Sequence, residues 1–139
     1  MINVKCYNNL PQEAKDIRIA VFNKEQGFKN EFDNTDNYAY HFVLYKDGVP
    51  VGVGRLFTED NGETYHIGRV AVLKEYRKYH LGSAIMEEMI KKAKELHGKK
   101  IVLSAQCRVE QFYEKLGFKK HGDIYYDEFC PHIQMEYII

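Results

Sequence analysis

The stretch RVAVLKEYRKYHLGSAIMEEMIKKAKE, residues 69–95, decides the fold, because it leads from an apolar strand pattern through a basic turn into a long amphipathic helix. We predict a helix over 81–97, which Gly98 ends. Its apolar face comprises Leu81, Ala84, Ile85, Met89, Ile90, Ala93 and Leu96. Glutamate and lysine fill most of the opposite face, so one side of the helix is expected to pack on a sheet.

The turn before this helix is expected to bind an anion. The first N–H groups of a helix are unpaired and together carry a partial positive charge of about half a unit. Arg77 and Lys78 add full charges, and Gly82 allows the backbone to approach a ligand closely. The spacing Arg77-x-x-His80-x-Gly82 matches neither the GxxxxGK[ST] of P-loops nor the GxGxxG of dinucleotide sites. A solvated basic turn that caps the helix is the simpler alternative.

The composition is typical of one folded domain over residues 1–139. Twenty basic and twenty acidic residues give a formal net charge of zero, so no overall field attracts nucleic acid or an anionic membrane. No apolar run approaches the roughly 18 residues that span a bilayer, which predicts a chain without membrane segments. Three cysteines without CxxC spacing indicate reduced thiols, and a cytoplasmic location is expected.

The rest of the chain is predicted to alternate strands with helices. A short N-terminal strand precedes a helix that begins at Pro11 and ends at Gly27, and a polar loop follows over 28–38. Strands are expected on both sides of the Asp47-Gly48 turn and after the Asn61-Gly62 turn. A further strand, a short helix and a closing strand complete the chain. This order favours an α+β or α/β sheet with helices on both faces.

Several motifs carry a resemblance to a known family. The stretch VAVLKEYRKYHLGSAIM resembles the acetyl-CoA signature of the GNAT superfamily of N-acetyltransferases, a V-x-V strand end followed by Arg/Gln-x-x-Gly-x-Gly/Ala. QFYEKLGF resembles its second signature, a helix that ends in Tyr-x-x-x-Gly-Phe. RIAVFNKEQGF and CPHIQMEY are similar to the ElaA-like branch, so the resemblance covers nearly the whole chain. The departure is His80, where the family usually has glycine, a residue that reaches positive φ without strain.

The resemblance implies a fold and a co-substrate. The fold would be a three-layer arrangement with a mixed, mostly antiparallel seven-stranded sheet, splayed between its two central strands. Acetyl-CoA would enter this splay, its pantetheine arm pairing with the backbone at Val70 and Val72, and no metal is implied. Coenzyme contacts are expected from Val70, Ala71, Val72, Arg77, Lys78, His80, Leu81, Gly82, Ser83 and Tyr113.

The implied reaction is direct acetyl transfer, in a ternary complex, to a primary amine of a small molecule or peptide. By resemblance, Tyr113 would protonate the departing thiolate, whereas otherwise it is a half-buried aromatic residue. Glu25 is a candidate general base or acceptor-binding carboxylate, or else a solvated charge. His132 could orient the acceptor or move its proton, and His41 could contact the acceptor; the alternative for both is a structural histidine.

Other interpretations stay open at the level of sequence. Cys107 could form an acetyl-enzyme with ping-pong kinetics, and the domain could be a non-catalytic acyl-CoA-binding sensor or interaction module. Cys130 and His132 are too few for a metal site. The loop 28–38 carries acidic residues that either favour a cationic amine or are simply solvated: Glu31, Asp33 and Asp36. The C-terminal strand could lie at a sheet edge and pair with a second chain in a homodimer.

Overall fold

A computed structural model describes residues 1–29 and 31–139, which build a seven-stranded sheet covered by helices on both faces. The strands are β1 (Ile2–Tyr7), β2 (Tyr40–Lys46), β3 (Val49–Thr58), β4 (Thr64–Val72), β5 (Lys100–Gln106), β6 (Lys119–Asp127) and β7 (Cys130–Ile138). The α-helices are α1 (Gln12–Arg18), α2 (Leu81–Glu95) and α3 (Glu110–Lys115). The strand order is β1-β2-β3-β4-β5-β7-β6, and the pairs are antiparallel except for β4 with β5. The expected mixed, mostly antiparallel sheet is confirmed.

Helix α2 packs on one face of the sheet along the predicted apolar stripe. Ile85 and Met89 are fully buried against β3. The approach is so close that a Cβ at Gly52 would come within 2.6 Å of Ile85 Cδ1, and one at Gly54 within 2.5 Å of Met89 Cε. A larger residue at either glycine would therefore force the end of the Ile85 or the Met89 side chain to move.

The segment predicted as a single helix changes its winding midway. Helix α1 covers Gln12–Arg18, and the chain continues as a π-helix over Ile19–Glu25. Its apolar residues pack on the opposite sheet face, where Val21 is buried in a cluster with Val43 and Val53. The spacing of apolar residues over a few turns does not distinguish an α-helix from a π-helix, because both can direct these side chains toward the sheet. π-Helical turns are frequent at functional sites.

The sheet opens between its central strands, as the resemblance implied. The parallel pairing of β4 with β5 ends at Ile67 and Leu103, although both strands continue beyond this point. In the β3–β4 ladder, Gly54 lies opposite two residues, Arg69 and Val70, so β4 bulges where the pairing with β5 ends. A bulge bends its strand and redirects its side chains. The backbone of β4 is therefore free on the side that faces β5.

The sheet edge differs from the sequence expectation. The C-terminal strand β7 lies between β5 and β6, so it cannot pair with a second chain as predicted. The edge strand next to β7 is β6, all of whose residues are exposed. An exposed strand lacks the alternation of apolar and polar residues that reveals a half-buried one, which is why the sequence pattern did not locate it. Within the two described ranges, no helix is long and apolar enough to cross a membrane.

His80 joins a 3₁₀ helix, Lys74–Tyr79, to α2 with left-handed backbone angles, φ 58° and ψ 31°. This confirms the expectation that the position demands positive φ, the reason why glycine is usual there. A non-glycine residue in this region costs about 1–2 kcal/mol, although histidine is found there more often than most residues.

We expect the variant His80→Gly to be more stable than His80→Ala by about 1 kcal/mol. Both variants lack the imidazole, so the comparison isolates the backbone strain. Chemical denaturation of the two proteins at the same pH measures the difference. Equal unfolding free energies would mean that the backbone at residue 80 leaves the left-handed region when the side chain is removed.

Candidate active site

The splay between β4 and β5 opens a cavity of about 750 Å³. Its walls are the diverging strands, the start of α2, helix α3, and parts of the segment 21–31. Most of the predicted coenzyme contacts line it: Val70, Ala71, Val72, Arg77, His80, Gly82, Ser83 and Tyr113. Two predicted contacts do not. Leu81 is buried in the core beneath α2, and the Lys78 Nζ lies over the Tyr79 ring on the exposed surface.

Gly82 has a packing role that the sequence did not suggest. A Cβ at this position would come within 3.2 Å of Phe112 Cζ, so the absence of a side chain lets α3 lie against the first turn of α2. Phe112 in turn contacts the ring of Tyr113, at 5.0 Å between centroids. Gly82 therefore helps to bring the two signature segments to the same cavity.

Arg77, which lines the cavity, is held by the backbone of β4 and by a carboxylate from the segment before the loop. Its Nε donates to the Val72 carbonyl at 2.9 Å, and its two Nη atoms donate to the Glu25 carboxylate at 2.6 Å each. The pair is partly exposed, so its contribution to stability is small. It nevertheless fixes the guanidinium beside the start of α2.

Glu25 is therefore occupied in a way that disfavours its predicted role as a general base. The hydrogen bonds from Arg77 lower the pKa of the Glu25 carboxyl below its usual range, which makes the carboxylate a weaker base. Its side chain is also not among the residues that line the cavity. The structure instead places it as the partner of Arg77.

Tyr113, on α3, lines the cavity. Its ring packs edge-on against Phe112 and Phe118. Among the residues that the structure describes, none hydrogen-bonds the Tyr113 hydroxyl. Burial raises the pKa of Tyr113 to about 12, so the phenol keeps its proton at neutral pH and can act as a donor.

His132 lies in the cavity wall opposite the coenzyme residues. The ring is buried, and its Nδ1 lies 3.0 Å from the Cys130 carbonyl. Because a carbonyl only accepts, Nδ1 carries the hydrogen and Nε2 keeps its lone pair for a ligand. The ring is stacked with Tyr125 at 6.1 Å and meets Phe28 edge-on at 6.4 Å.

His41 does not line the cavity, and its predicted contact with the acceptor is not supported. The side chain is 1% exposed, and its Nε2 donates to the Asp36 carbonyl at 2.9 Å. Burial lowers the pKa of His41 below its usual value, so the ring is neutral at neutral pH. The sequence around a histidine on a strand does not distinguish a structural histidine, which bonds the backbone, from one that binds a ligand.

The acidic loop is neither solvated nor open to a cationic ligand as a whole. Three carboxylates, Glu31, Asp33 and Asp36, pair with three arginines, Arg18, Arg55 and Arg69. The Arg18 guanidinium holds both oxygens of Asp36, at 2.8 and 3.1 Å, and Arg55 holds both oxygens of Asp33, at 2.7 and 3.1 Å. The charges of these six groups sum to zero. We call this set the arginine–carboxylate cluster.

The cluster perturbs its carboxyl groups in opposite directions. Burial alone would raise the pKa of Asp36, but hydrogen bonds and attraction from Arg18 and then Arg55 outweigh it and lower the pKa to about 2. Burial raises the pKa of Glu31, which Arg69 and Arg18 oppose. The sequence did not predict this pairing, because the members of the cluster are far apart along the chain and come from α1, the loop, β3 and β4.

Sequence analysis missed several residues that line the cavity. Gln26 and Gln106 bridge its floor, with Gln106 Nε2 donating to Gln26 Oε1 at 2.9 Å. Arg108 lines the cavity after the end of β5. Cys107, its neighbour, packs toward the core and is not a lining residue, which gives the covalent route no structural support. Among residues 1–29 and 31–139, no group of three or more His, Cys, Asp or Glu side chains is arranged to hold a metal ion.

Comparison with known families agrees with this architecture. Residues 10–139 match the family model of the acetyltransferase (GNAT) domain. The chain belongs to the GNAT acetyltransferase family. This GNAT chain is 32% identical over 127 residues to the uncharacterized N-acetyltransferase YjcF of Bacillus subtilis, a match that covers 89% of each chain. Acetyl-CoA-dependent N-acetyl transfer is the general activity of the family.

The resemblance to the ElaA-like branch is also confirmed. The GNAT chain is 27% identical to the protein ElaA of Escherichia coli over 124 residues, which are 86% of this chain and 81% of ElaA. The crystal structure of ElaA has the same fold, with a TM-score of 0.88 over 99% of both chains. A GNAT family acetyltransferase from Elizabethkingia anophelis, solved with acetyl-CoA bound, shares the fold at 18% identity, with a TM-score of 0.75 over 99% of this chain and 98% of that one.

Proposed function

We propose that the protein transfers an acetyl group from acetyl-CoA to a primary amine of a small molecule or peptide, by direct attack in a ternary complex. The observation that carries the proposal is that the end of β4 beyond its pairing with β5, Tyr113 and His132 line one cavity. This supports a site in which a proton donor, a proton acceptor and backbone N–H groups would act together. Such positioning is a large part of catalysis in two-substrate reactions.

The residues present fit the coenzyme. Acetyl-CoA supplies an activated thioester when it is bound. Beyond the β4–β5 pairing, the backbone of Val70 and the N–H of Val72 would bind an extended chain such as pantetheine, whereas the Val72 carbonyl already accepts from Arg77 Nε. A β4 N–H near Val72 would stabilise the oxyanion. At the other end of the cavity, Gly82 and Ser83 begin α2, where the N–H groups are free to bind a phosphate, and Arg77 adds charge. Tyr113 would protonate the departing sulfur.

The affinity for acetyl-CoA should depend on Arg77 and Glu25 in opposite directions. Replacing Arg77 by alanine should weaken binding about tenfold or more, because a charge-assisted hydrogen bond to a phosphate is lost. Replacing Glu25 by glutamine should tighten binding severalfold, because a negative charge beside the phosphate site is removed. Isothermal titration of acetyl-CoA measures both. Unchanged affinity in Arg77→Ala would refute the phosphate contact, and a lower kcat with unaltered affinity in Glu25→Gln would restore Glu25 as a base.

His132 is proposed to take the proton of the attacking amine at Nε2. The variant His132→Ala should then lose the acidic limb of the pH–rate profile and most of kcat, while it keeps its affinity for acetyl-CoA. His41→Ala is the matched control, because this histidine is structural: it should lower the stability and leave the shape of the profile intact. A profile that His132→Ala does not change would exclude the proton-accepting role.

The first test of the function has two stages. Acetyl-CoA is titrated into the protein, with dephospho-CoA and ATP as controls, and an amine panel is then monitored by the release of free thiol. Saturable binding followed by amine-dependent release supports the proposal. Binding without release from any amine would favour the alternative, a non-catalytic acyl-CoA sensor. Intersecting double-reciprocal plots and an active Cys107→Ala enzyme would support direct transfer over an acetyl-enzyme.

A further inference from the structure

We propose that the amino group of the acceptor donates a hydrogen bond to Glu31. The rest of the acceptor molecule would carry an aromatic group that packs on Phe28. The acceptors would accordingly be primary arylalkylamines rather than polyamines or aminosugars. This inference rests on the proposed function, because it names the substrate class of the same site.

Glu31 is a buried carboxylate with one unused oxygen. Its residue is 3% exposed, and its Oε1 lies 3.2 Å from Arg18 Nε and 2.7 Å from Arg69 Nε. Within the described ranges, Oε2 accepts no hydrogen bond and is closed to solvent. A buried oxygen of this kind is unfavourable unless a donor reaches it. Glu31 lines the cavity, so an amine that displaces the groups covering Oε2 would supply that donor.

The other two carboxylates of the arginine–carboxylate cluster offer no such oxygen. Both oxygens of Asp33 are bonded to Arg55, and both oxygens of Asp36 are bonded to Arg18. The cluster as a whole is neutral, because its three arginines balance its three carboxylates. Glu31 is therefore expected to select an N–H donor at a defined point rather than to attract positive charge from a distance.

The position of Glu31 suits the reaction. Its carboxylate and its carbonyl both contact Arg69 Nε, at 2.7 and 3.0 Å, and Arg69 is the bulge residue that directly precedes Val70. The bulge lies where β4 separates from β5 and where the proposed thioester site begins. An amine bound at Oε2 would thus enter beside the backbone that holds the acyl group.

Aromatic rings gather beside this end of the cavity. Phe28 is stacked on Phe129 at 5.1 Å between centroids and meets the His132 ring edge-on. Phe129 is 59% exposed although it belongs to this stack. The backbone N–H of Lys29 donates to the Glu128 carboxylate and so joins the loop to the β6–β7 hairpin that carries Phe129. Phe28 lines the cavity and is half-buried, and Phe129 stacks on it without lining the cavity, so the Phe28 ring offers an aromatic surface on which an aromatic ligand can pack.

The kinetic test compares two isosteric variants with phenethylamine as acceptor. In Glu31→Gln, Arg18 and Arg69 favour the amide oxygen at the Oε1 position, so an NH₂ replaces the free oxygen and cannot accept from the amine. KM for phenethylamine should rise about tenfold or more, with the affinity for acetyl-CoA within about twofold of the wild type. Asp33→Asn, which removes a cluster carboxylate without a free oxygen, should leave KM unchanged. An equal rise in both variants, or no rise in Glu31→Gln, overturns the assignment.

The preference for an aromatic acceptor is tested separately. The wild-type kcat/KM should be at least about tenfold higher for phenethylamine than for glucosamine or spermidine, and Phe28→Ala should remove this preference. Equal values for the three acceptors would overturn the aromatic class.

A binding measurement on the wild-type protein distinguishes failure of this inference from failure of the proposed function, and it applies even if Glu31→Gln does not fold. Phenethylamine is titrated into the CoA-loaded protein while NMR follows the side-chain carboxyl carbon of Glu31. A saturable shift that phenethyltrimethylammonium, which has no N–H donor, does not reproduce supports the Glu31 contact whether or not any amine is acetylated. No shift, or the same shift with both probes, overturns it.

Discussion

Replacement of Tyr113 by phenylalanine is expected to lower kcat about a hundredfold and to leave the affinity for acetyl-CoA nearly unchanged. The ring and its contacts with Phe112 and Phe118 are kept, so the packing of α3 persists. What is lost is the hydroxyl that we propose donates a proton to the departing sulfur. Steady-state kinetics with a fixed amine acceptor, together with titration of acetyl-CoA, separate the two effects.

Tyr137→Phe provides the matched control for this substitution. The Tyr137 ring also contacts the Phe118 ring, at 5.4 Å between centroids. Tyr137 is not among the residues that line the cavity. It should therefore change kcat by less than about twofold. If Tyr113→Phe behaves like this control, Tyr113 is not the acid.

The raised pKa of Tyr113 adds a consequence for the wild-type enzyme. Because burial raises this pKa to about 12, the phenol stays protonated throughout the range in which an exposed tyrosine would ionise. The loss of Tyr113 as a proton donor should not appear in the pH–rate profile below about pH 11. A basic limb near pH 10 that is absent from Tyr113→Phe would contradict the shift.

Replacement of Arg18 by alanine is expected to destabilise the fold by about 3–5 kcal/mol, because it leaves Asp36 buried without its bidentate partner. Arg18 is 1% exposed, and it also donates to Glu31. Chemical denaturation measures the loss. Arg108→Ala is the control, since Arg108 is exposed and the described part of the chain gives it no ion pair; its effect should stay within about 0.5 kcal/mol.

The pH dependence of stability should report the same cluster. The pKa of Asp36 is lowered to about 2 from an unfolded value near 3.8, so its contribution is fully present above about pH 4 and is lost as the pH falls to about 2. The shift corresponds to about 2 kcal/mol. Glu31 acts with the opposite sign, because its pKa is raised, so the comparison is between the wild type and Asp36→Asn. If both lose the same stability between pH 4 and pH 2, the Arg18–Asp36 pair contributes nothing measurable.

The arginine–carboxylate cluster links stability to the site. It contains Arg55 from β3 and Arg69 from the β4 bulge, and it fastens the loop that carries Glu31 and Phe28 to the sheet beside the splay. Since ion pairs of this kind have directional geometry, the loop is held in one arrangement.

The sequence by itself determined the family, the sheet with helices on both faces and the coenzyme side of the cavity. The reason is that these depend on local signals: alternation in strands, the apolar stripe of α2, the paired turn residues, and a loop whose ligands are nearly contiguous from Val70 to Ser83. Such a loop would bind mainly through its own backbone and one helix end, so a short stretch of sequence predicts most of its contacts, although Leu81 and Lys78 do not line the cavity.

Only the tertiary structure decided the acceptor side. Glu25 binds Arg77, His41 is held by a backbone carbonyl, and one oxygen of Glu31 is free, whereas Asp33 and Asp36 are saturated. Arg18 and Asp36 lie 18 residues apart in the sequence, and Glu25 and Arg77 lie 52 residues apart. The chemistry of a carboxylate or an imidazole depends on its neighbours in space, and a sequence orders residues along the chain without stating which of them meet.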